Sequence, residues 1–349
     1  MGAPTEENPP PQTLSPAARQ VLATLYALET RDEEWPDGRP AAILRRHVRT
    51  HAARFWLGAT LLPWDLAWTE LAELEWLREE DGGGLELTPI GSPPAKACRD
   101  AFRRERFDEI LVQAERSDAY ARFLRQTGDL EVRAFSPLDR RQLDAVCDAV
   151  CASGPEPRLL DAGCGAGHVT EAVVRRCGGG ALGVDYAPRA IELASARVTA
   201  SGLEGVTFDE RDLDALTPED VGLFDVALAV DALVFVEDLE GVLRRLSACV
   251  KPGGRVVILA LEASPRPEQA PTALALRGMA LPFSQDDLSD LALPVLRARQ
   301  FAAYGARRAL RAEGNDLLAS ALVEESAQLR SLLDAGALRR YLYRAIKPE

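Results

Sequence analysis

No uninterrupted apolar run in this chain approaches the ~20 residues that a membrane helix requires, so no spanning segment is expected. The opening stretch, "MGAPTEENPPPQTLSP", lacks both a basic flank and an apolar core. It reads as a proline-rich disordered tail over residues 1–13 rather than a secretory leader. Cysteine is sparse: six residues, at 98, 147, 151, 164, 177 and 249, with no CxxC pair. They are expected to be reduced and packed, in a cytoplasmic protein. Cys147 and Cys151 stand one helical turn apart, but no His or Cys cluster accompanies them, so no metal site is expected. Positive charge is also in deficit, with 41 Lys and Arg against 54 Asp and Glu, a net charge of −13. That balance disfavours an extended phosphate-binding face and argues against nucleic acid as a partner. A membrane partner is not expected either, and no internal repeat is visible.

What remains is globular. The 349 residues exceed one ordinary core, which predicts two domains, and 47% apolar with 27% charged residues suffices to build them. Leu14 to Leu28 has helical apolar spacing opened by Ser15 and Pro16. Residues 41–60 continue as helix, and Trp64 to Leu77 form a third. There Trp64, Trp68 and Leu71 share a face, with Trp76 off it. All five tryptophans (35, 56, 64, 68, 76) fall in this part. His47 and His51 share a helical face among Arg45, Arg46, Arg49 and Arg54, which reads as a solvated face.

The polar glycine turn and alternating strand of "REEDGGGLELTPIG" follow the third helix. The run "LAELEWLREEDGGGLELTPIG" resembles the last helix and wing of a winged helix, over residues 14–92. A winged helix can bind DNA, but residues 1–100 hold 10 Lys and Arg against 16 Asp and Glu, a net of −6, which argues against operator binding. "GSPPAK" at 91–96 breaks the pattern and predicts a boundary. Residues 93–138 then read as a helical linker, and 139–349 as the second domain.

From about Asp139 short apolar strands alternate with helical stretches: "RLLDA", "ALGVD", "GVTFD", "FDVALAV" and "RVVILAL". This pattern predicts an α/β, doubly wound parallel sheet. The stretch "LLDAGCGAGHVTEAV" puts Gly163, Gly165 and Gly167 in a turn straight after the first strand, where glycine lets backbone approach a ligand closely. Eighteen residues after Gly167, Asp185 ends the second strand, where a carboxylate can accept the hydroxyls of a ribose. A dinucleotide fingerprint would need its third glycine at 168, where His168 stands. Asp161, just before the turn, would repel a pyrophosphate and suits a positive ligand group.

These segments resemble the class I S-adenosylmethionine-dependent methyltransferases. "LLDAGCGAG" and "GVDYAP" are similar to their first two motifs, "FDERDLDAL" to the adenine-side segment, "FDVALAVDALVFVEDL" to the fourth strand and its loop, and "LSACVKPGG" to the turn before the fifth strand. The resemblance implies a Rossmann-like seven-stranded sheet of order 3-2-1-4-5-7-6, its last strand antiparallel, with "RRYLYRAI" as the candidate late strand. It implies S-adenosyl-L-methionine as cofactor. Asp161 and Gly163 would line its methionine end, Gly165 and Gly167 shape the turn, Asp185 hold the ribose, Tyr186 flank the adenine, and Asp212 with Leu213 meet the adenine edge. Asp231, at the end of the fourth strand, is the candidate catalytic base. His168 reads as a solvated first-turn residue, with a place near the donor methyl as the alternative.

The long segment 262–338 is expected to interrupt the α/β pattern and then run as helix through Leu338. With the N-terminal helices it would cover the acceptor through Tyr120, Phe123, Phe135, Met279 and Phe283, with Phe235 also facing the substrate. The expected activity is methyl transfer to an O, N or C atom of a small-molecule acceptor, in specialised metabolism. A homodimer would form through the winged-helix-like domain, which would also wall off the acceptor. A peptide or nucleic-acid methyltransferase, or a DNA-binding regulator that senses S-adenosylmethionine, is the alternative. "VDAL" stands after the fourth strand where a motif such as "NPPY" would point to nucleic acid.

Overall fold

The computed structural model describes residues 14–30, 40–55, 64–264 and 266–349. The expected 1–13 tail, Trp35 and Trp56 lie outside the described residues. The chain divides into two compact units between Phe107 and Asp108.

In the first unit, α1 (Pro16–Thr30), α2 (Arg45–Phe55) and α3 (Trp64–Glu73) precede a hairpin of β1 (Leu77–Glu79) and β2 (Leu85–Leu87). Ser15 caps α1, its hydroxyl accepting from Ala18 N at 3.2 Å. Trp64, Trp68 and Leu71 are buried on one side of α3, as the i, i+4, i+7 spacing requires. Trp76 is fully buried beyond the helix end, and its carbonyl leaves room only for glycine at 91. His47 is half-buried rather than solvated, its Nδ1 accepting from Leu44 N.

"GSPPAK" does not separate domains. Ser92 opens α4 (Ser92–Arg116), with Pro93 and Pro94 in a first turn whose N–H groups would be unpartnered in any case. The division falls inside this helix, and residues 108–138, expected as linker, belong to the second unit. Ile110, Ala114, Tyr120, Phe123, Leu130 and Leu138 are buried in its core.

The second unit continues with α5 (Asp118–Gly128), α6 (Arg140–Cys151), β3 (Arg158–Ala162), α7 (His168–Cys177), β4 (Gly180–Asp185), α8 (Pro188–Ser201) and β5 (Val206–Glu210). Then come α9 (Pro218–Val221), β6 (Phe224–Val230), α10 (Leu239–Ala248), β7 (Val250–Ala263), α11 (Pro271–Gly278), β8 (Phe283–Asp287), α12 (Ser289–Ala312), α13 (Asp316–Asp334) and β9 (Leu338–Ile346). The seven strands form one sheet in the order β5-β4-β3-β6-β7-β9-β8. β5, β4, β3, β6 and β7 are mutually parallel, while β9 runs antiparallel to both β7 and β8. Alternate residues of each central strand feed two cores. Leu159, Leu228, Val257 and Leu342 pack toward one face, and Leu160, Ala227, Ile258 and Tyr343 toward the other.

Two expectations fail in the 262–338 segment. The helix does not run to Leu338 but breaks at Gly314 between α12 and α13, whose φ of +74° is left-handed. β8, "FSQDD", is a strand with one apolar residue and no β-branched one. It lies at the sheet edge, where half-exposed polar residues suffice, so periodicity does not reveal it. The cysteines are a third departure: Cys151 and Cys177 form a disulfide joining the ends of α6 and α7, while Cys98, Cys147, Cys164 and Cys249 are free.

Phe208 of β5 lies directly across from Gly183 of β4. A Cβ on Gly183 would come within 2.5 Å of the Phe208 ring, and one on Gly167 would meet the same ring at 2.5 Å. Gly183→Ala should therefore cost about 1–3 kcal/mol in urea denaturation. Combined with Phe208→Ala, the loss should fall short of the sum by about 1 kcal/mol or more. Strict additivity would mean that the ring does not fix these glycines.

Candidate functional site

β3 delivers its C-terminal end into the glycine turn, and β4 holds the turn in place. Gly163 N and Cys164 N both donate to the Val184 carbonyl, at 2.8 and 3.0 Å. Asp185, which ends β4, accepts from Gly165 N at 2.8 Å through one carboxylate oxygen and from Ala187 N at 3.0 Å through the other. The turn therefore hangs on one side chain. Gly163, Gly165 and Gly167 all have φ between +53° and +74°. At Gly163 a Cβ would also collide with the Ala232 methyl group at 2.3 Å, so glycine here admits the loop that follows β6.

Asp161 is buried, one oxygen accepting from the Thr170 hydroxyl at 2.6 Å. Burial, with the charge of Asp185 adding to it, pushes its carboxyl up to about 7. Asp185 is raised as well, chiefly by burial and against the pull of the backbone N–H groups it binds. Among the described residues neither carboxylate has an ion-pair partner, although salt bridges abound elsewhere. Two buried carboxylates without a cation suit a positively charged ligand group and oppose a phosphate.

The other sequence candidates divide. Tyr186 is half-buried next to Asp185, and Leu213 is buried. Asp212 is exposed and caps the short turn Leu213–Ala215, accepting from Asp214 N at 3.0 Å. Phe235 closes a single turn after β6, 44% exposed beside Val234 at 69%. Three cover residues are not brought to the turn. Tyr120 is wholly buried, donating to the Ala134 carbonyl and packed on Phe123. Met279 packs against the second core. Phe283 sits on edge strand β8 against Tyr343, with β6, β7 and β9 standing between that strand and β3.

His168 is paired rather than solvated, its Nε2 lying 2.6 Å from Glu115 of α4. Arg197 joins the same cluster, donating to Glu115 at 3.1 Å, Glu171 at 2.5 Å and the Ala166 carbonyl. Nearby Asp108 accepts from Ala190 N at the start of α8, and Leu111 lies over Gly165. The end of α4 thus covers the turn, a role that its charged sequence "RFDEILVQAER" conceals.

Asp231 differs most from expectation. Its backbone is left-handed, φ +54°, and both carboxylate oxygens are occupied. Arg340 donates to each of them, Nη2 at 2.8 Å, and the Ser136 hydroxyl donates to one. Arg340 is completely buried, and its Nε donates to Gln142 Oε1 at 2.7 Å. A carboxylate so engaged is not an open base; it pins the loop after β6 to the sheet. Sequence reasoning missed Arg340, Ser136 and Gln142. The available signal was an arginine in the "LRRYLYRAI" strand at the same period-2 positions as Leu338 and Leu342.

Comparison with known proteins fits this geometry. Residues 160–258 match the family described as methyltransferase domain. A ubiquinone biosynthesis O-methyltransferase of Leptothrix cholodnii is 32% identical over 109 residues, covering 31% of this chain and 46% of that protein. The one from Xanthomonas axonopodis pv. citri is 28% identical over 196 residues, 55% of this chain and 76% of the relative. The chain thus spans less than half the length of the first of these relatives. Phosphoethanolamine N-methyltransferase 2 of Haemonchus contortus, solved with S-adenosyl-L-methionine, superposes with a TM-score of 0.55 at 16% identity, covering 70% of this chain and 60% of that one.

Removing either partner of the Arg340–Asp231 pair leaves a charge buried alone. Arg340→Met should cost about 3 kcal/mol or more in urea unfolding. Arg340→Met with Asp231→Asn should cost less than the sum of the single changes by about 1 kcal/mol or more. Additive losses would dissolve the pair as an energetic unit. With the sheet, the glycine turn and the matched domain together, the second unit has a Rossmann-like methyltransferase fold.

Proposed function

We propose that this chain transfers the methyl group of S-adenosyl-L-methionine to a small-molecule acceptor. The observation that carries this reading is the buried pair Asp161 and Asp185 at the glycine turn, neither with an ion-pair partner among the described residues. The donor set fits the cofactor. Asp161 and Gly163 would hold its charged methionine end, Asp185 the ribose, Tyr186 and Leu213 the adenine faces, and Asp212 the adenine edge. Bound there, the cofactor supplies an electrophilic methyl group and its own leaving group. The protein's part is then to align the acceptor and exclude water.

The loop after β6 serves that alignment. Arg340 and Ser136 hold Asp231, and Ala232 packs against Gly163. Phe235 and Val234 offer an apolar edge to the acceptor. Asp231 is a positioning residue in this scheme rather than the base expected from sequence. The relatives named O-methyltransferases favour oxygen as the acceptor atom. Helices α1 to α3 with the β1–β2 hairpin follow the element order of a winged helix, and the local charge deficit supports a dimerising or acceptor-covering role over DNA binding. A cytoplasmic location rests on sequence features alone, and the Cys151–Cys177 disulfide weighs against it.

Two outcomes follow. Because Asp161 is raised to about 7, its protonated form dominates below that pH, and a cationic ligand favours the ionised form. Affinity for S-adenosylmethionine, measured by calorimetry, should therefore climb as pH rises through about 7 and level off above it. Asp161→Asn should flatten the step, and Asp185→Ala should weaken binding about tenfold or more; an undiminished step in the Asn variant would remove Asp161 from the site. The purified chain should also turn over small hydroxyl-bearing acceptors without shifting genomic DNA on a gel. Salt-sensitive, sequence-specific DNA binding without turnover would favour the regulator reading.

A further inference from the structure

The outer face of α12 is unlike the rest of this acidic chain. From Leu291 to Ala312 the helix contains no Asp or Glu and five arginines. Its inner face is anchored by Ala292, Leu296, Ala303 and Leu310, all buried. Outward it presents Phe301, 75% exposed, and Tyr304, 52% exposed. Arg297, Phe301, Tyr304 and Arg308 follow one another at helical spacing and form a single ridge, roughly 16 Å long at the α-helical rise. Arg307 and Arg311 flank it, both exposed. Of these cations only Arg311 forms a salt bridge among the described residues, with Asp316 at 3.5 Å.

We propose that this ridge docks the protein on an anionic lipid bilayer. Exposed aromatic rings flanked by arginines fit the boundary between headgroups and acyl chains, where the rings partition and the guanidinium groups meet phosphates. A second copy of the chain is a poor occupant. A two-fold contact through the ridge would set arginines against arginines with no acid to offset them. One narrow ridge also offers far less than the about 800 Å² per partner of a stable protein interface. A bilayer needs no shape complementarity, and its many anionic headgroups suit a short convex ridge. The net charge of −13 on the whole chain would turn the other faces away from such a surface. That no described helix can cross a membrane is no obstacle to a helix lying on one.

The test is co-sedimentation of the full chain with vesicles of phosphatidylcholine alone or with roughly a quarter phosphatidylglycerol. Binding should require the anionic lipid and should weaken strongly between about 50 and about 500 mM salt. Arg297→Glu with Arg308→Glu should weaken it about tenfold or more, and Phe301→Ser with Tyr304→Ser should do so at constant charge. Arg78→Glu with Arg244→Glu, equal charge reversals elsewhere on the surface, should leave it unchanged. Absent binding at low salt, or equal loss in the control variant, would overturn the proposal. So would tighter binding of a DNA duplex through the same arginines, which would name nucleic acid as the occupant. Calorimetry with S-adenosylmethionine on the same variants keeps this result separate from the enzymatic reading, since the ridge lies outside the glycine turn and cofactor affinity should be unchanged.

Discussion

Everything in the candidate site depends on one carboxylate accepting two backbone N–H groups. Asp185 binds Gly165 N and Ala187 N, so the end of β4 fixes both the turn leaving β3 and the start of its own following loop. The cost is a buried negative charge, whose field adds to burial in raising the nearby Asp161 carboxyl. The turn is thereby stable in shape and unsatisfied in charge. An enclosed polar group normally finds its counter-ion within the protein, and a site that withholds one is prepared to take it from a ligand.

Most of this arrangement was legible because it is local. The five parallel strands announce themselves as short apolar runs, and β3 and β6 occur where "RLLDA" and "FDVALAV" stand. Gly163, Gly165, Gly167, Asp161 and Asp185 lie close enough in sequence for spacing to carry meaning. What stayed hidden was set by contacts between distant residues. Glu115 meets His168 across 53 positions, and Arg340 meets Asp231 across 109. No periodicity encodes such pairs. β8 was missed because an edge strand needs little apolar content. The boundary at "GSPPAK" was misplaced because two prolines at a helix start look, in sequence, like a helix end.

The cover residues teach a related point. Tyr120 and Phe123 were candidates for a lid because aromatic residues before a methyltransferase sheet are conspicuous. They are instead the core that fastens α5 to α12, with Arg299 stacked 4.9 Å over Phe123. The residues that do face the turn from that region are Asp108, Leu111 and Glu115, on the polar-looking end of α4.

The Arg340–Asp231 contact also orders the assembly of the site in time. The glycine turn closes over a separation of 20 residues and can form once β3 and β4 have met. The loop after β6 cannot be pinned until β9, more than a hundred residues later in synthesis, has inserted between β7 and β8. A chain stalled before that strand would own a closed glycine turn beside an unpinned loop. The antiparallel last strand therefore acts as the closing step that fixes the loop after β6 against a turn already formed.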